Sequence, residues 1–177
     1  MSISKINNLA KVSLIGAPAV GKTTMLKLLS QTKIDKIYLP TQGFDLKTVS
    51  CNNMDLKVWD FGGQRAYLNY LEEYLLGSDL VFIVTDSTPK NVLKSKQLVD
   101  MAKKIVEEDC PIIAIANKQD LCKDDGRMDQ KRVQDVLHTK TYGLTAINSS
   151  ERDKLMRIIE KELNHAIVRK EMKTIEI

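Results

Sequence analysis

Short apolar runs rich in β-branched residues alternate along this chain with longer amphipathic segments. The apolar runs predict strands at residues 11–15, 44–51, 54–60, 80–85, 111–117 and 142–147. The amphipathic segments predict helices at residues 21–30, 66–76, 91–107, a short stretch ending near 137, and 150–169. This alternation is typical of an α/β fold in which helices cover both faces of a six-stranded, mostly parallel sheet.

Two local signals refine this prediction. Asn52 and Asn53 separate two predicted strands, and both residues tolerate the positive φ of a tight turn, so we expect one antiparallel hairpin at the sheet edge. Ser150 followed by Asp153 fits a capping box, which predicts the start of the last helix.

The composition fits one folded domain over residues 1–177. The chain is 43% hydrophobic and 28% charged, and it contains no repeat, linker or low-complexity tract. Its net charge of +4 comes from 27 basic and 23 acidic residues that are mixed along the chain, which argues against a nucleic-acid partner. The densest basic group, Lys154, Arg157 and Lys161, is interleaved with Glu160 and Glu162, as on a solvated helix face.

The cysteines and the apolar runs point to the cytoplasm. The 3 cysteines form no CxxC pair, as expected for reduced thiols. The longest apolar runs, 80–84 and 112–116, are far shorter than the roughly 18 residues of a membrane span. The N-terminus has no signal-peptide pattern, and Ser2 stands where N-myristoylation requires glycine. We expect a cytoplasmic monomer that reaches a membrane only through partners.

Residues 16–23, with the sequence GAPAVGKT, match the Walker A pattern between a predicted strand and a predicted helix. Main-chain N–H groups in such a loop point at phosphate oxygens, helped by the positive end of the helix. Lys22 would contact the β- and γ-phosphates, and the Thr23 hydroxyl would bind Mg²⁺. The predicted nucleotide-binding residues of this loop are Gly16, Ala19, Val20, Gly21, Lys22, Thr23 and Thr24. The alternative, a glycine-containing turn capped by a lysine, is disfavoured by the flanking strand and helix.

A second segment, DFGGQ at residues 60–64, ends a predicted strand with an acid and a glycine pair. Asp60 suits a carboxylate that holds Mg²⁺ through water, and the N–H of Gly63 would reach the γ-phosphate. Gln64 would orient the attacking water. Taken alone, a DxxG pattern is common and indicates a plain strand-to-loop turn.

A third segment, NKQD at residues 117–120, follows a predicted strand and so lies at the carboxyl edge of the sheet, where ligands bind in open α/β folds. The Asp120 carboxylate can accept hydrogens from guanine N1 and the exocyclic amine together, whereas adenine offers no such pair of donors. Lys118 can lay its methylenes along the base. Asn117 can bond the base and tie its loop to the phosphate loop. An ATP-dependent kinase or ATPase, the alternative, would prefer ATP.

In this order the motifs resemble those of Ras-superfamily small GTPases, most closely the ADP-ribosylation factor (Arf/Arl) family. The resemblance extends from about residue 10 to 166 and rests on GKTT at 21–24, PTQGFD at 40–45, VWDFGGQ at 58–64 and NKQD at 117–120. It implies the P-loop NTPase fold of small G proteins, with GTP or GDP and Mg²⁺ as ligands. It also implies that the hairpin between the switches slides in register with nucleotide state.

The resemblance assigns roles to further residues. Thr41 becomes the switch I threonine, whose hydroxyl joins Mg²⁺ and whose N–H meets the γ-phosphate. Ala146, next to Thr145, supplies the last main-chain contact to the guanine oxygen. The expected catalytic residues are Gln64 and Lys22, and the expected metal site consists of Thr23, Thr41 and, through water, Asp60.

The resemblance also implies partners. An exchange factor, a GTPase-activating protein and effectors are expected to bind residues 33–45 and 59–75, where Phe44, Trp59 and Tyr74 form an aromatic trio. Ordinary strand packing is the alternative for these rings. Because no arginine occurs between residues 32 and 41, we expect slow hydrolysis that depends on an activating protein, since an arginine finger is worth roughly 10³ to 10⁵ in rate.

The sequence departs from the family at three places. Family members commonly begin with a longer amphipathic helix and a myristoylated glycine, whereas about ten residues precede the first predicted strand here. Pro18 replaces the acid usual in Arf proteins and removes one N–H from the loop, and Gln42 replaces the usual isoleucine. We predict a molecular switch of the membrane-trafficking type; the alternative is a guanine-nucleotide-binding subunit that keeps GTP for structural reasons.

Overall fold

The computed structural model describes residues 9–35, 37–51, 54–123 and 125–175. Its strands form a 6-stranded sheet in the order β2-β3-β1-β4-β5-β6. The strands are β1 Leu9–Ile15, β2 Phe44–Cys51, β3 Met54–Phe61, β4 Leu80–Thr85, β5 Ile112–Ala116 and β6 Thr141–Gly143. The described α-helices are α1 Lys22–Leu29, α2 Leu71–Leu75, α3 Pro89–Ile105, α4 Gln130–Leu137 and α5 Arg152–Ile175.

The sheet is parallel except for the edge pair β2–β3. This confirms the predicted fold class, although the predicted turn residues Asn52 and Asn53 lie outside the described residues. Strand β1 pairs with β3 on one side and with β4 on the other. Strands β2 and β3 therefore lie on one side of β1, and β4, β5 and β6 lie on the other. A crevice outside the carboxyl end of such a strand is the usual ligand site in open α/β sheets.

Helices pack on the two faces of the sheet and form three layers with it. Helices α1 and α5 share one buried cluster with β1, β3, β4 and β5. Helices α2, α3 and α4 contribute to two clusters built on other residues of the same strands. Strand β4 is buried along its whole length, as expected for a central strand covered on both faces.

The predicted helix at residues 66–76 is wrong in its first half. Residues Arg65–Tyr70 form a 3₁₀ turn, and only Leu71–Leu75 is α-helical. No residue of the 3₁₀ turn is buried, whereas Leu71 and Leu75 are, so an apolar face that could hold an α-helix against the core begins only at Leu71. The helix ends before Gly77, whose φ of 70° reverses the chain.

The last strand is shorter than predicted, because Leu144–Ile147 leaves the sheet after Gly143. The N–H of Leu144 still donates to Ala116 O at 2.9 Å, but Leu144 O then accepts from Gln119 N at 3.2 Å. The N–H of Ala146 donates to the Asn117 side chain. Main-chain groups that a strand would pair with a neighbouring strand are instead bonded to the loop that follows β5.

The predicted starts of α3 and α5 also need correction. Helix α3 begins at Pro89, two residues early, because the Thr88 hydroxyl accepts from Asn91 N and proline suits the first helical position. Ser150 does not start α5: it lies in a 3₁₀ turn, where its own N–H donates to the Asn148 side chain at 3.1 Å. Helix α5 continues past the predicted end at residue 169.

Candidate functional site

The phosphate loop lies between β1 and α1, and its glycines are required by close approaches. A Cβ on Gly16 would stand 2.2 Å from Val84 O of the neighbouring strand. Gly21 has a φ of 105°, and a Cβ there would stand 2.1 Å from the Asn117 amide nitrogen. Side chains at either position would push the loop away from β4 or from the loop after β5. The Walker A glycines therefore hold the loop against the sheet edge.

Lys22 is buried inside this loop although it carries an amine. Its Nζ donates to Gly16 O at 3.0 Å and to Ala17 O at 2.9 Å. Burial lowers the pKa of Lys22 to about 8, against the opposing attraction of Asp60. The ammonium group is thus held by two carbonyl oxygens, which are weaker partners for a charge than phosphate oxygens.

The three residues predicted to bind a metal converge from three separate parts of the chain. The Thr23 hydroxyl on α1 lies 2.9 Å from the Thr41 hydroxyl, and it donates to the Asp60 carboxylate at the end of β3. The Thr41 hydroxyl lies 3.3 Å from the same carboxylate oxygen. Hydroxyl and carboxylate oxygens in one cluster are the donor set that suits Mg²⁺, which binds few protein oxygens and keeps several waters.

One atom in this cluster has no partner. Asp60 is fully buried, and its Oδ1 has no hydrogen bond from any described residue. Burial raises the pKa of the Asp60 carboxyl, while the Thr23 hydrogen bond and the Lys22 charge oppose that rise. A buried carboxylate oxygen without a donor is costly, so the residues present fit a cation or an ordered water bound to it.

Gly63 packs directly onto the phosphate loop. A Cβ on Gly63 would stand 2.5 Å from Gly16 O and from Pro18 N, and a Cβ on Gly62 would stand 2.7 Å from Thr41 O. The glycine pair therefore lets the chain after β3 pass between the phosphate loop and residue 41. The sequence predicted a γ-phosphate contact for the Gly63 N–H, but it did not indicate that Gly62 and Gly63 are both needed for this close approach.

The residues predicted to bind the base lie around Asn117. Its Nδ2 donates to Val20 O at 2.9 Å, and its Oδ1 accepts from Ala146 N at 3.0 Å. The side chain thereby joins the phosphate loop, the β5 loop and the β6 loop. Lys118 has a left-handed backbone, and its Nζ donates to Ala19 O at 2.9 Å. Asp120 lies exposed in the 3₁₀ turn that follows, and Thr145 is half-buried beside Ala146.

A cavity of about 940 Å³ is lined by the phosphate loop, the start of α1, residues 34–35 and 37–41, Gly63, Gln64 and Lys118. Predicted site residues that line it are Ala19, Gly21, Lys22, Thr23, Thr24, Thr41, Gly63, Gln64 and Lys118. Seven predicted site residues do not line it, namely Gly16, Val20, Asp60, Asn117, Asp120, Thr145 and Ala146. Val20, Asp60, Asn117 and Ala146 are buried behind the wall, whereas Asp120 is exposed outside it. We call this space the nucleotide cavity, because it has the volume of a small-ligand site and a phosphate loop along one side.

Two contributions to the candidate site were missed by sequence reasoning, one in the wall of the cavity and one behind it. Lys27 on α1 forms an ion pair with Asp35, and both residues line the cavity, so the pair ties α1 to switch I, residues 33–45. Ser87 donates to Asn117 O at 2.7 Å and accepts from the Gln119 amide at 2.9 Å. The partners Lys27 and Asp35, like Ser87 and Asn117, do not belong to a common motif or stand at a regular spacing, so the sequence carries no signal for these contacts.

The aromatic trio forms a cluster, but its centre is a fourth ring. Phe61 is buried and stacks on Tyr74 at 4.4 Å between ring centroids and on Trp59 at 6.1 Å. Phe44, directly opposite Phe61 in the β2–β3 register, lies 5.0 Å from Trp59 and is 49% exposed. The sequence signal for this position was the predicted hairpin: its register places Phe61, of the segment DFGG, opposite Phe44 and therefore in the aromatic cluster.

The sequence model of the ADP-ribosylation factor family matches residues 1–174. ADP-ribosylation factor-like protein 3 of Chlamydomonas reinhardtii is 35% identical over 114 residues, which cover 63% of this chain and 64% of that protein.

Two further relatives cover more of the chain. ADP-ribosylation factor-like protein 3 of Caenorhabditis elegans is 32% identical over 78% of both chains. ADP-ribosylation factor-like protein 2 of Drosophila melanogaster is 32% identical over 72% of this chain and 68% of its own length. In the described part of the chain, no helix is long and apolar enough to cross a bilayer.

Proposed function

Because this chain belongs to the ADP-ribosylation factor family of Ras-superfamily small GTPases, we propose that it binds GTP and GDP with Mg²⁺ and hydrolyses GTP slowly as a molecular switch. The observation that carries this proposal is the cluster of Thr23, Thr41 and Asp60 beside Lys22. These side chains come from α1, switch I and the end of β3, and one carboxylate oxygen among them is buried without a donor. The alternative of a purely structural guanine-nucleotide subunit has no support in the family comparisons.

The phosphate loop would bind the triphosphate through its main-chain N–H groups and Lys22. In the structure the Lys22 ammonium is bonded to Gly16 O and Ala17 O, so its position is already set by the loop. Its desolvated charge would gain stronger, charge-assisted hydrogen bonds from phosphate oxygens. A bound Mg²⁺, held by Thr23 and Thr41 and through water by Asp60, would neutralise charge on the β- and γ-phosphates.

Gln64 is the residue we propose to orient the attacking water. It lines the nucleotide cavity next to Gly63, whose main chain packs on the phosphate loop. An amide side chain can accept a hydrogen from water and donate to a phosphate oxygen, so it fixes the direction of attack without changing charge. The Lys22 ammonium and the loop N–H groups would stabilise the charge that develops on the leaving oxygen.

Slow intrinsic hydrolysis follows from what the nucleotide cavity lacks. No arginine is found among the described residues that line it, and Arg65, next to Gln64 in sequence, lines a different cavity. A cationic side chain supplied by an activating protein would raise the rate by roughly 10³ to 10⁵. We therefore propose an activating protein, an exchange factor and effectors that contact residues 33–45 and 59–75.

Switching would follow from the contacts of Thr41 and Gly63 with the γ-phosphate. Both residues belong to segments with much exposed chain: Leu39 is 78% exposed, and no residue of Arg65–Tyr70 is buried. Loss of the γ-phosphate would remove these contacts and let both segments relax, which changes the surface that partners contact.

Two measurements test the proposal. Titration calorimetry with GDP, GTP and ATP should give guanine-nucleotide binding that depends on Mg²⁺, with ATP at least about a hundredfold weaker. Equal binding of ATP would overturn the role of Asp120. In single-turnover assays, GTP-loaded protein should release phosphate slowly, and Gln64→Leu should slow release by about 10²-fold or more. Gln97→Leu, which removes an exposed amide on α3 that does not line the nucleotide cavity, is the control. No phosphate release over hours, with or without cell lysate, would overturn the hydrolytic proposal.

A further inference from the structure

A second cavity, of about 510 Å³, borders the phosphate loop between switch II, residues 62–75, and helix α3. Residues of the phosphate loop from Gly16 to Pro18 form one part of its wall. The apolar part of its lining includes Ile15, Phe61, Leu71, Tyr74, Leu98 and Met101. Its volume falls in the range of about 300–1,000 Å³ that is typical of sites for ligands and for anchoring side chains.

The charged side chains that line this cavity are both cationic. Arg65 from switch II and Lys94 from α3 are its charged lining residues, and both are exposed. Within the residues that the structure describes, neither makes an ion pair. An apolar interior with two unpaired cations at its rim is complementary to an apolar group next to negative charge.

We propose that this cavity is a docking site for a partner protein that inserts an apolar side chain flanked by carboxylates. A protein partner is favoured because the cavity is continuous with the aromatic cluster. Tyr74 lines the cavity and also stacks on Phe61, and its ring lies 6.2 Å from the half-exposed Phe44. A partner that covers the aromatic cluster would therefore also contact the cavity, because Tyr74 belongs to both.

Docking would depend on whether GTP or GDP is bound, and this nucleotide dependence rests on the proposed function. Pro18 and Gly63 line both the second cavity and the nucleotide cavity. Gly63 is the residue we propose to contact the γ-phosphate, and the switch II segment that follows it supplies Arg65, Leu71 and Tyr74 to the second cavity. When the γ-phosphate is lost, the wall that carries Arg65 would move relative to Lys94, which stands on the separate helix α3.

A peptide-display selection tests this inference. A random short-peptide library is selected on the full chain loaded with a non-hydrolysable GTP analogue, and enriched peptides are titrated by fluorescence polarisation against Lys94→Glu, Met101→Gln and Lys103→Glu. Lys103 is an exposed lysine of the same helix that does not line the cavity, so it controls for the charge change. Guanine-nucleotide binding by each variant checks that it is folded.

We expect enriched peptides that carry an apolar residue between acids. Lys94→Glu should weaken their binding about tenfold, Met101→Gln several-fold and Lys103→Glu less than twofold. The GDP-loaded protein should bind them several-fold more weakly than the GTP form. No enrichment, peptides without acids, or peptides indifferent to both cavity variants would overturn the docking site, and equal binding to both nucleotide forms would overturn its link to the nucleotide. If the wild-type chain bound no guanine nucleotide, the proposed function itself would fail instead.

Discussion

The base side and the switch side of the nucleotide cavity differ in how the protein holds them. On the base side, Asn117 is 2% exposed and is bonded through both ends of its amide and through its main-chain oxygen. On the switch side, Ile37, Tyr38 and Leu39 are each more than half exposed. Before β2 begins at Phe44, the described part of switch I is tied to the rest of the molecule by contacts of Asp35, Thr41, Gln42 and Gly43.

This difference indicates which part of the site is built by folding and which part a ligand would complete. The contacts of Asn117 are satisfied within the protein and need no ligand. The Thr41 hydroxyl is instead bonded to Thr23 and Asp60, and all three side chains are the proposed ligands of a metal ion, Asp60 through water. A segment held by groups that a ligand would bind has its position set by that ligand.

The largest effect is expected from Asn117→Ala on the base side. The change leaves the buried Val20 O and Ala146 N without their side-chain partners, so the free energy of unfolding should fall by about 2–4 kcal/mol. Urea denaturation measures the loss. Asn148→Ala, which removes an exposed cap from the turn before α5, is the control and should cost about 1 kcal/mol. A loss below that of the control would mean that the base side is not held by Asn117.

Asp120→Asn should change which purine binds while leaving the fold intact. Asp120 is exposed, so its replacement removes no core contact. An amide presents a donor where the carboxylate accepts two hydrogens, and we expect GTP affinity to fall about a hundredfold while xanthosine triphosphate gains. Fluorescent nucleotide displacement measures both. Asp125→Asn, a nearby exposed acid, should leave GTP binding unchanged. Unchanged GTP affinity in Asp120→Asn would assign base selection to another residue.

Glu162→Gln should make the base side less stable at neutral pH but not in acid. Glu162 is 4% exposed and accepts hydrogen bonds from Lys140 at 2.6 Å and Tyr142 at 2.5 Å, which tie α5 to β6. Burial alone would raise the pKa of Glu162, but these hydrogen bonds lower it below its ordinary value of 4.5. The folded state therefore binds fewer protons than the unfolded state in the acid range. The resulting stability is present above the unfolded pKa and is lost as pH falls through the folded pKa.

At pH 7 the variant should be less stable than the wild type by about 1–2 kcal/mol. The difference should shrink toward zero as the pH is lowered from 7 through the folded-state pKa of Glu162, because the carboxyl group is then protonated in the folded state as well. Urea midpoints measured across this range give the result, with Glu171→Gln on the exposed face of the same helix as the control. A gap that stays constant with pH would show that packing, and not the charge, carries the effect.

The smallest effect on stability is expected from Asp35→Asn on the switch side. Asp35 is exposed, and its ion pair with Lys27 ties α1 to switch I. Surface ion pairs contribute little to global stability, so the urea midpoint should not move measurably. Hydrogen exchange in residues 37–43 should become a few-fold faster, because opening of this segment loses one tether. Glu73→Gln, an exposed acid on α2, should leave that exchange unchanged. A large drop in the midpoint would show that switch I is part of the cooperative core.

The sequence predicted the fold well where the pattern is local. The buried strand at 80–85 and the parallel order of strands and helices are confirmed. It failed at α2 and β6, where burial and loop hydrogen bonds decide the outcome. Leu71 and Leu75 are buried and Arg65–Tyr70 is not, and Leu144–Ile147 bonds the β5 loop instead of a strand. Neither fact follows from residue spacing, because the burial of α2 and the hydrogen bonds of residues 144 and 146 depend on contacts with other segments of the fold.

The candidate site divides in the same way. By itself, the sequence determined the phosphate-loop motif, the order of the three motifs and the family, because residue types and their spacing within each short motif can be read without the fold. The tertiary structure decided that Thr41 and Asp60 meet Thr23, that Asn117 bonds a loop 97 residues earlier, and that Phe61 centres the aromatic cluster. These contacts join segments distant along the chain, and only the packing of the sheet and its helices brings them together.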